Sequence, residues 1–163
     1  VRTMGKRDQA RLWDAAAGRG ARIEDIVPTD VAPGTEVIHA GKNSLPTFST
    51  FEKRFCRTAT DPAILYGYNE GSTRKLIGPG YFVTRYFEDR AEAGVDYYSV
   101  PPDGAQLPAA WPKVKPNESG LQMIVFAKMI DYLRRVSEHV TIGRAFKKGK
   151  QTNNYFLLCR TGV

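Results

Sequence analysis

From residue 35 to residue 100 the chain divides into short runs rich in valine, isoleucine, phenylalanine and tyrosine, each ended by a turn signal. Runs this short bury themselves only by pairing, and β-branched and aromatic side chains suit a pleated surface. Residues 35–40 form the first run, ended by Gly41, Lys42, Asn43 and Ser44. Residues 47–58 form the second, with Phe51 and Phe55 on one face and Glu52 and Arg54 on the other. Residues 64–68 put Ile64, Tyr66 and Tyr68 on one side, and Asn69, Glu70, Gly71 and Ser72 turn the chain. Residues 74–77 lead into Gly78-Pro79-Gly80, which reads as a bend at a sheet corner. Residues 81–87 and 95–100 follow, joined by a charged connection at 88–94. Six such segments at turn spacing predict an antiparallel meander. Residues 140–146 and 154–160 add two strands, with Lys147, Lys148, Gly149, Lys150 and Gln151 as a hairpin tip.

Three stretches break this pattern. Residues 8–17 predict a short helix docked by Trp13 and stopped by Gly18, and residues 22–34 an irregular lead-in to the sheet. Residues 101–119 hold Pro101, Pro102, Pro108, Pro112 and Pro116, a density that no helix or central strand tolerates. They predict a long surface loop pinned by Trp111. After it, Ser119 and Gln122 match a capping box. Leu121, Val125, Met129, Tyr132 and Val136 then fall at helical spacing, with Lys128, Asp131, Arg135 and Glu138 on the opposite side. The expectation is therefore an α+β protein, one domain over residues 1–163. A strongly curved, mostly antiparallel sheet packs against one long helix (121–136), with a short N-terminal helix outside. Whether the sheet closes into a barrel, the architecture of many small-ligand carriers, is left open by the pattern.

Composition narrows the class. The 163 residues are 42% hydrophobic and 25% charged, with eight Phe, eight Tyr and two Trp, which is a folding composition and not that of a solvated coil. No apolar run reaches the ~18 residues of a membrane span, so no membrane partner is expected. The first twenty residues mix Lys6, Arg7, Asp8, Arg11 and Asp14 without a signal-type apolar stretch, which predicts a cytoplasmic protein. Cys56 and Cys159 lie in strand-like segments and read as reduced, buried thiols. Two histidines and no Cys/His cluster give no metal site, and no motif calls for a cofactor.

Charge is distributed unevenly. Of the net +7, most lies after residue 133, where Arg134, Arg135, Arg144, Lys147, Lys148, Lys150 and Arg160 face only Glu138. Such a local surplus points to one anion-preferring face or hairpin. The tyrosines Tyr66, Tyr68, Tyr81, Tyr86, Tyr97 and Tyr98 are dense enough to line a concave pocket if the sheet curls.

Three readings of function follow. The first is a binding protein for a small, partly apolar anion, with Tyr66, Tyr68, Tyr81 and Tyr97 as the pocket and Arg54 or Arg85 as counter-charge. The second is a cofactor-free lyase or isomerase with His39 as general base beside an acid such as Asp96. His139, at the predicted helix end, needs only a structural role. The third, ranked last, is nucleic-acid contact through Arg144, Lys147, Lys148 and Lys150, interleaved with Phe146, Tyr155 and Phe156. No RNA-binding motif accompanies them. Oligomeric state is not legible.

Overall fold

A computed structural model of the chain describes residues 2–46 and 49–162. Its strands are β1 (Val37–Asn43), β2 (Thr50–Arg57), β3 (Leu65–Glu70), β4 (Phe82–Phe87), β5 (Glu92–Asp96), β6 (Met129–Arg135), β7 (Val140–Lys147) and β8 (Lys150–Thr161). They pair antiparallel in chain order, and β8 pairs back onto β1, so the sheet closes into an eight-stranded barrel. Four short helices accompany it: α1 (Lys6–Ala15), α2 (Ile23–Ile26), α3 (Arg74–Ile77) and α4 (Gln122–Val125). Thr47 and Phe48, at the start of the expected second strand, lie outside the described residues.

The meander is as its alternation predicts except at residues 74–77, counted among the extended segments and folded as α3, and the long helix is not there. Residues 121–136 divide into α4, a left-handed turn at Lys128 (φ 59°) and strand β6. The protein is mostly β, not α+β. β6 fills the gap between β5 and β7, with Val95 opposite Asp131 and Leu133 opposite Gly143. Without it two long strand edges would stand unpaired, and closing the ladder outweighs the helical spacing of Leu121, Val125 and Met129. The capping box is also replaced. The Ser119 hydroxyl donates to the Pro116 carbonyl at 2.9 Å, as does the buried Gln122 side-chain amide at 2.6 Å. His139 consequently sits in the β6–β7 turn, where its Nδ1 faces the Arg160 guanidinium at 3.0 Å. Two smaller expectations shift as well: β5 runs Glu92–Asp96, beginning inside the charged connection and ending short of residues 97–100, and the irregular lead-in contains α2.

The barrel lumen is packed through cross-strand glycine–phenylalanine pairs. Gly41 stands opposite Phe51, Gly67 opposite Phe82 and Gly143 opposite Phe156. In each pair the ring lies across the glycine, and a Cβ on Gly143 would come within 2.1 Å of Phe156. Without side chains at these points the rings can fold flat across the wall.

One end of the barrel is stoppered by the N-terminal segment. The Ala21 amide donates to the Leu133 carbonyl at 2.9 Å, and the Ala93 amide donates to the Ala21 carbonyl at 2.8 Å. Ile23, Ile26, Val27 and Val31 then bury themselves among Val37, Phe55, Leu65 and Leu133 of the lumen. A buried helix end leaves carbonyls needing donors. His39 Nε2 meets the Ile26 carbonyl at 2.9 Å, Arg57 donates to the carbonyls of Val27 and Pro28, and Arg160 reaches that of Asp25. α1 packs outside: Trp13 and Ala16 bury against Tyr132, Ile142, Tyr155 and Leu157, and Arg134 lies 3.8 Å above the Trp13 ring.

Candidate functional site

At the opposite end the barrel is open. The β1–β2, β3–β4, β5–β6 and β7–β8 connections all gather there, because strands alternate in direction. Within them lies a cavity of about 300 Å³, walled by Phe51, Phe126, Met129 and Phe156 and floored by Lys53, Asn69, Tyr97 and Asp131. That volume falls at the lower end of small-molecule pockets.

The floor is built from strand parity. Lys53 lies between Phe51 and Phe55 on β2, and Asp131 between Met129 and Leu133 on β6, so both charges point inward with the apolar set. Each is nearly inaccessible, and they meet at 3.4 Å. The Lys53 ammonium also donates to Asn69 Oδ1 at 2.9 Å and to the Tyr97 hydroxyl. Its three N–H groups are thereby used. The rings of Phe82, Tyr97, Phe156 and Phe51 surround it at 5.0–5.8 Å, which favours the cation. Asn69 is oriented by donating to the Gly80 carbonyl at 2.8 Å, so the Gly78-Pro79-Gly80 turn sets the floor. Phe126, just after α4, stacks on Tyr97 at 5.3 Å and roofs it.

Asp131 is less well satisfied. Its Oδ2 meets Lys53, while Oδ1 is buried without a hydrogen-bond partner. An unmade bond to a buried acceptor costs about 1–3 kcal/mol. Burial pushes the Asp131 carboxyl above its ordinary range and the Lys53 amine below its own, and each partner offsets part of the other's shift. Burial also raises the Tyr97 phenol well above 10. Acceptor, cation and phenol in one small cavity form a cluster of displaced titrations of the kind that ligand and catalytic sites carry.

Of the residues expected to form the site, Tyr97 reaches this cavity. Tyr66, Tyr68 and Tyr81 lie on the outer wall beneath the proline-rich segment, gathered around Trp111. The Tyr68 and Trp111 rings meet edge-on at 5.0 Å, and the Tyr81 hydroxyl donates to the Pro112 carbonyl. Trp111 does pin this loop, and its indole N–H donates to Glu36. Arg54 is also outside, paired with Glu52 at 2.7 Å and Glu36 at 3.3 Å, and Arg85 pairs with Asp96 at 3.0 Å. His39 faces the stoppered end, away from Asp96. Burial holds its pKa down at about 4, with the Arg160 charge adding to the shift and the Ile26 carbonyl opposing it. Arg144 folds onto the outer wall, donating to the Thr152 carbonyl at 2.6 Å over the Tyr155 ring. Lys147, Lys148 and Lys150 do come together at the hairpin tip beside the mouth, where Lys147 donates to the Ile124 carbonyl at 2.7 Å. Cys56 and Cys159 are free thiols; Cys56 is buried, which pushes its pKa up to about 12.

Lys53, Asn69 and Asp131 are floor residues that sequence reasoning missed, Asn69 having been read as part of a turn. For Lys53 the signal was present: it shares the parity of Phe51 and Phe55. Asp131 had no such signal while its segment read as a helix.

Among the described residues no group of three His, Cys, Asp or Glu side chains could hold a metal ion, and no helix is long and apolar enough to cross a membrane. The barrel and its mouth define a closed antiparallel meander with one enterable end. No family model matches the sequence, and no curated protein or solved structure matches it.

Proposed function

We propose that this barrel is a receptor for a small, partly apolar molecule that enters at the open end and lies on the Lys53–Asp131–Tyr97 floor. The observation that carries the reading is the unpartnered, buried Oδ1 of Asp131 on the floor of a cavity with apolar walls. A ligand hydroxyl or amine would satisfy it, while Phe51, Phe126, Met129 and Phe156 take the hydrocarbon part. An anionic head is favoured less by this floor: the Lys53 donors are engaged, and Arg54 and Arg85 lie outside. About 300 Å³ corresponds to roughly ten water molecules, so the ligand is compact.

An isosteric series tests this. Benzyl alcohol, toluene and benzoate differ at one group, and binding is read by calorimetry. The alcohol should bind tightest, and Asp131→Asn should shrink its advantage over toluene. Equal binding of alcohol and toluene, or preference for benzoate, would remove the proposed role of Asp131; benzoate preference would restore the anion-carrier reading.

A second reading is a cofactor-free lyase or isomerase. What favours it is the contact of a carboxyl, an amine and a phenol with displaced titrations on one cavity floor. On this geometry Asp131 and Lys53 would move the proton, not His39. Product formation from a bound ligand, lost in Asp131→Asn while the ligand still binds, separates enzyme from receptor.

A further inference from the structure

The large apolar side chains left exposed among the described residues are not scattered. Leu45, Leu76, Tyr98, Leu121, Met123, Ile124 and Val125 all belong to the connections at the mouth. Leu76 on α3 and Ile124 on α4 are 72% and 67% exposed, so both project from the mouth, Leu76 at the rim of a groove. A soluble surface that concentrates such residues at one end marks a contact site.

The charge around these tips is predominantly positive. On one side Arg74, Lys75, Lys113 and Lys115 line a groove of about 500 Å³ between α3 and the proline-rich segment. On the other side Lys128 meets the hairpin tip of Lys147, Lys148 and Lys150, tied to α4 through the Ile124 carbonyl. Against these stand Asp103 and Glu118 of the same connections, and Glu70, which is already paired with Arg74 at 2.8 Å. The stoppered end carries no such surplus: Asp61, Glu88, Asp89 and Glu138 of its turns stand near Arg19, Arg90, Arg135 and Arg160. The cationic surplus therefore lies at the mouth, which is also the apolar end.

We propose that the mouth docks on the surface of an anionic lipid bilayer. Projecting aliphatic tips enter the acyl boundary, and the flanking lysines meet phosphate headgroups. Surface association of this kind needs no spanning helix. Projecting aliphatic side chains among eight cations and three acids suit an anionic interface that deforms around them. The docking does not depend on which molecule fills the cavity, although it would bring the cavity entrance to the lipid surface.

The test is co-sedimentation of the full chain with vesicles of phosphatidylcholine alone or with about one-third phosphatidylglycerol. Binding should appear only with the anionic lipid and should fall steeply at about 1 M salt, where the screening length is about 3 Å. Neutralising Lys147, Lys148 and Lys150 to Gln should weaken it on the order of a hundredfold, at about fivefold per cation. Leu76→Ser with Ile124→Ser should weaken it by roughly tenfold or more, with an unchanged melting temperature because both residues are exposed. Three results would overturn the proposal: equal binding to both vesicle types; binding indifferent to the serine pair and surpassed by a single-stranded oligonucleotide, which indicates a polyanion site; or a dimer in light scattering that the serine pair dissociates, which indicates a second copy of the chain as occupant.

Discussion

The buried Lys53–Asp131 pair makes opposite demands on pH when either member is removed alone. Both side chains are almost wholly inaccessible, so breaking the pair leaves an uncompensated charge in the lumen, at a cost of about 3–5 kcal/mol. For a chain of 163 residues that corresponds to roughly 10 °C in melting temperature. Asp131→Asn leaves Lys53 without the carboxylate that raises its pKa, so burial depresses it further. The unfolded lysine then holds its proton to higher pH than the folded one, and stability must rise with pH up to about 10.4. Lys53→Met leaves Asp131 without the ammonium that lowers its pKa, so burial raises it further. Now the folded state binds the proton more tightly, and stability must fall as pH rises above about 3.9, levelling off once the folded carboxyl has ionised. Each slope is limited to about 1.4 kcal/mol per pH unit for one proton. Urea unfolding of both variants between about pH 5 and pH 9 reads the two slopes directly, relative to the parent. The double variant Lys53→Met/Asp131→Leu carries neither charge and should recover most of the loss, with both slopes gone. Two single variants within about 0.5 kcal/mol of the parent, or slopes of one sign, would show that the two charges do not share a dry interior.

Two further perturbations probe the barrel wall and its stopper. Gly143→Ala forces a methyl within 2.1 Å of the Phe156 ring, so the ring must leave its place at about 1–3 kcal/mol; because Phe156 also walls the cavity, calorimetry with benzyl alcohol should weaken in parallel with the melting temperature. His39 is held at about 4 by burial against 6.5 when free, so as pH falls the unfolded chain takes up the proton first. The stability it contributes is present above about pH 6.5 and lost toward pH 4, on the order of 3 kcal/mol in all. His39→Gln removes that proton and should flatten urea midpoints across this window; a variant that falls in parallel with the parent would mean His39 is not held neutral at the Ile26 carbonyl.

The strands were legible because alternation and turn chemistry act locally. Phe51 and Phe55 declare one face of β2, and Glu52 and Arg54 the other, before any partner strand is known. Closure was not legible, because it depends on β8 meeting β1 across the whole chain. The stopper was hidden for a different reason. Four residues, Ile23–Ile26, carry too little periodicity to announce a helix, and its buried carbonyls are satisfied by His39, Arg57 and Arg160, which are distant in sequence. The tyrosine density was real, but parity alone does not say which face is the lumen. Tyr66 and Tyr68 share a side and that side is the outside, packed under Trp111.

The misread segment at 121–136 and the missed site have one cause. An inward-facing row of β6 reads Met129, Asp131, Leu133, and the outward row Ile130, Tyr132. With a charge in the inward row, the alternation that identifies a strand is interrupted, and helical spacing through Leu121, Val125, Met129 and Tyr132 becomes the better local description. The outward row adds to this, because Ile130 and Tyr132 are apolar as well and pack in the cluster with Trp13. In β2 the same substitution of charge for grease occurs at Lys53, but Phe51 and Phe55 on either side preserve the reading. A buried charge makes the local pattern inconsistent with the fold that contains it, and such inconsistencies are tolerated chiefly where a site needs them. Two of the places where this barrel departs from its own hydrophobic code face each other across the lumen, 3.4 Å apart, at the base of its open end, while His39 and Arg57 serve the stopper's carbonyls at the other.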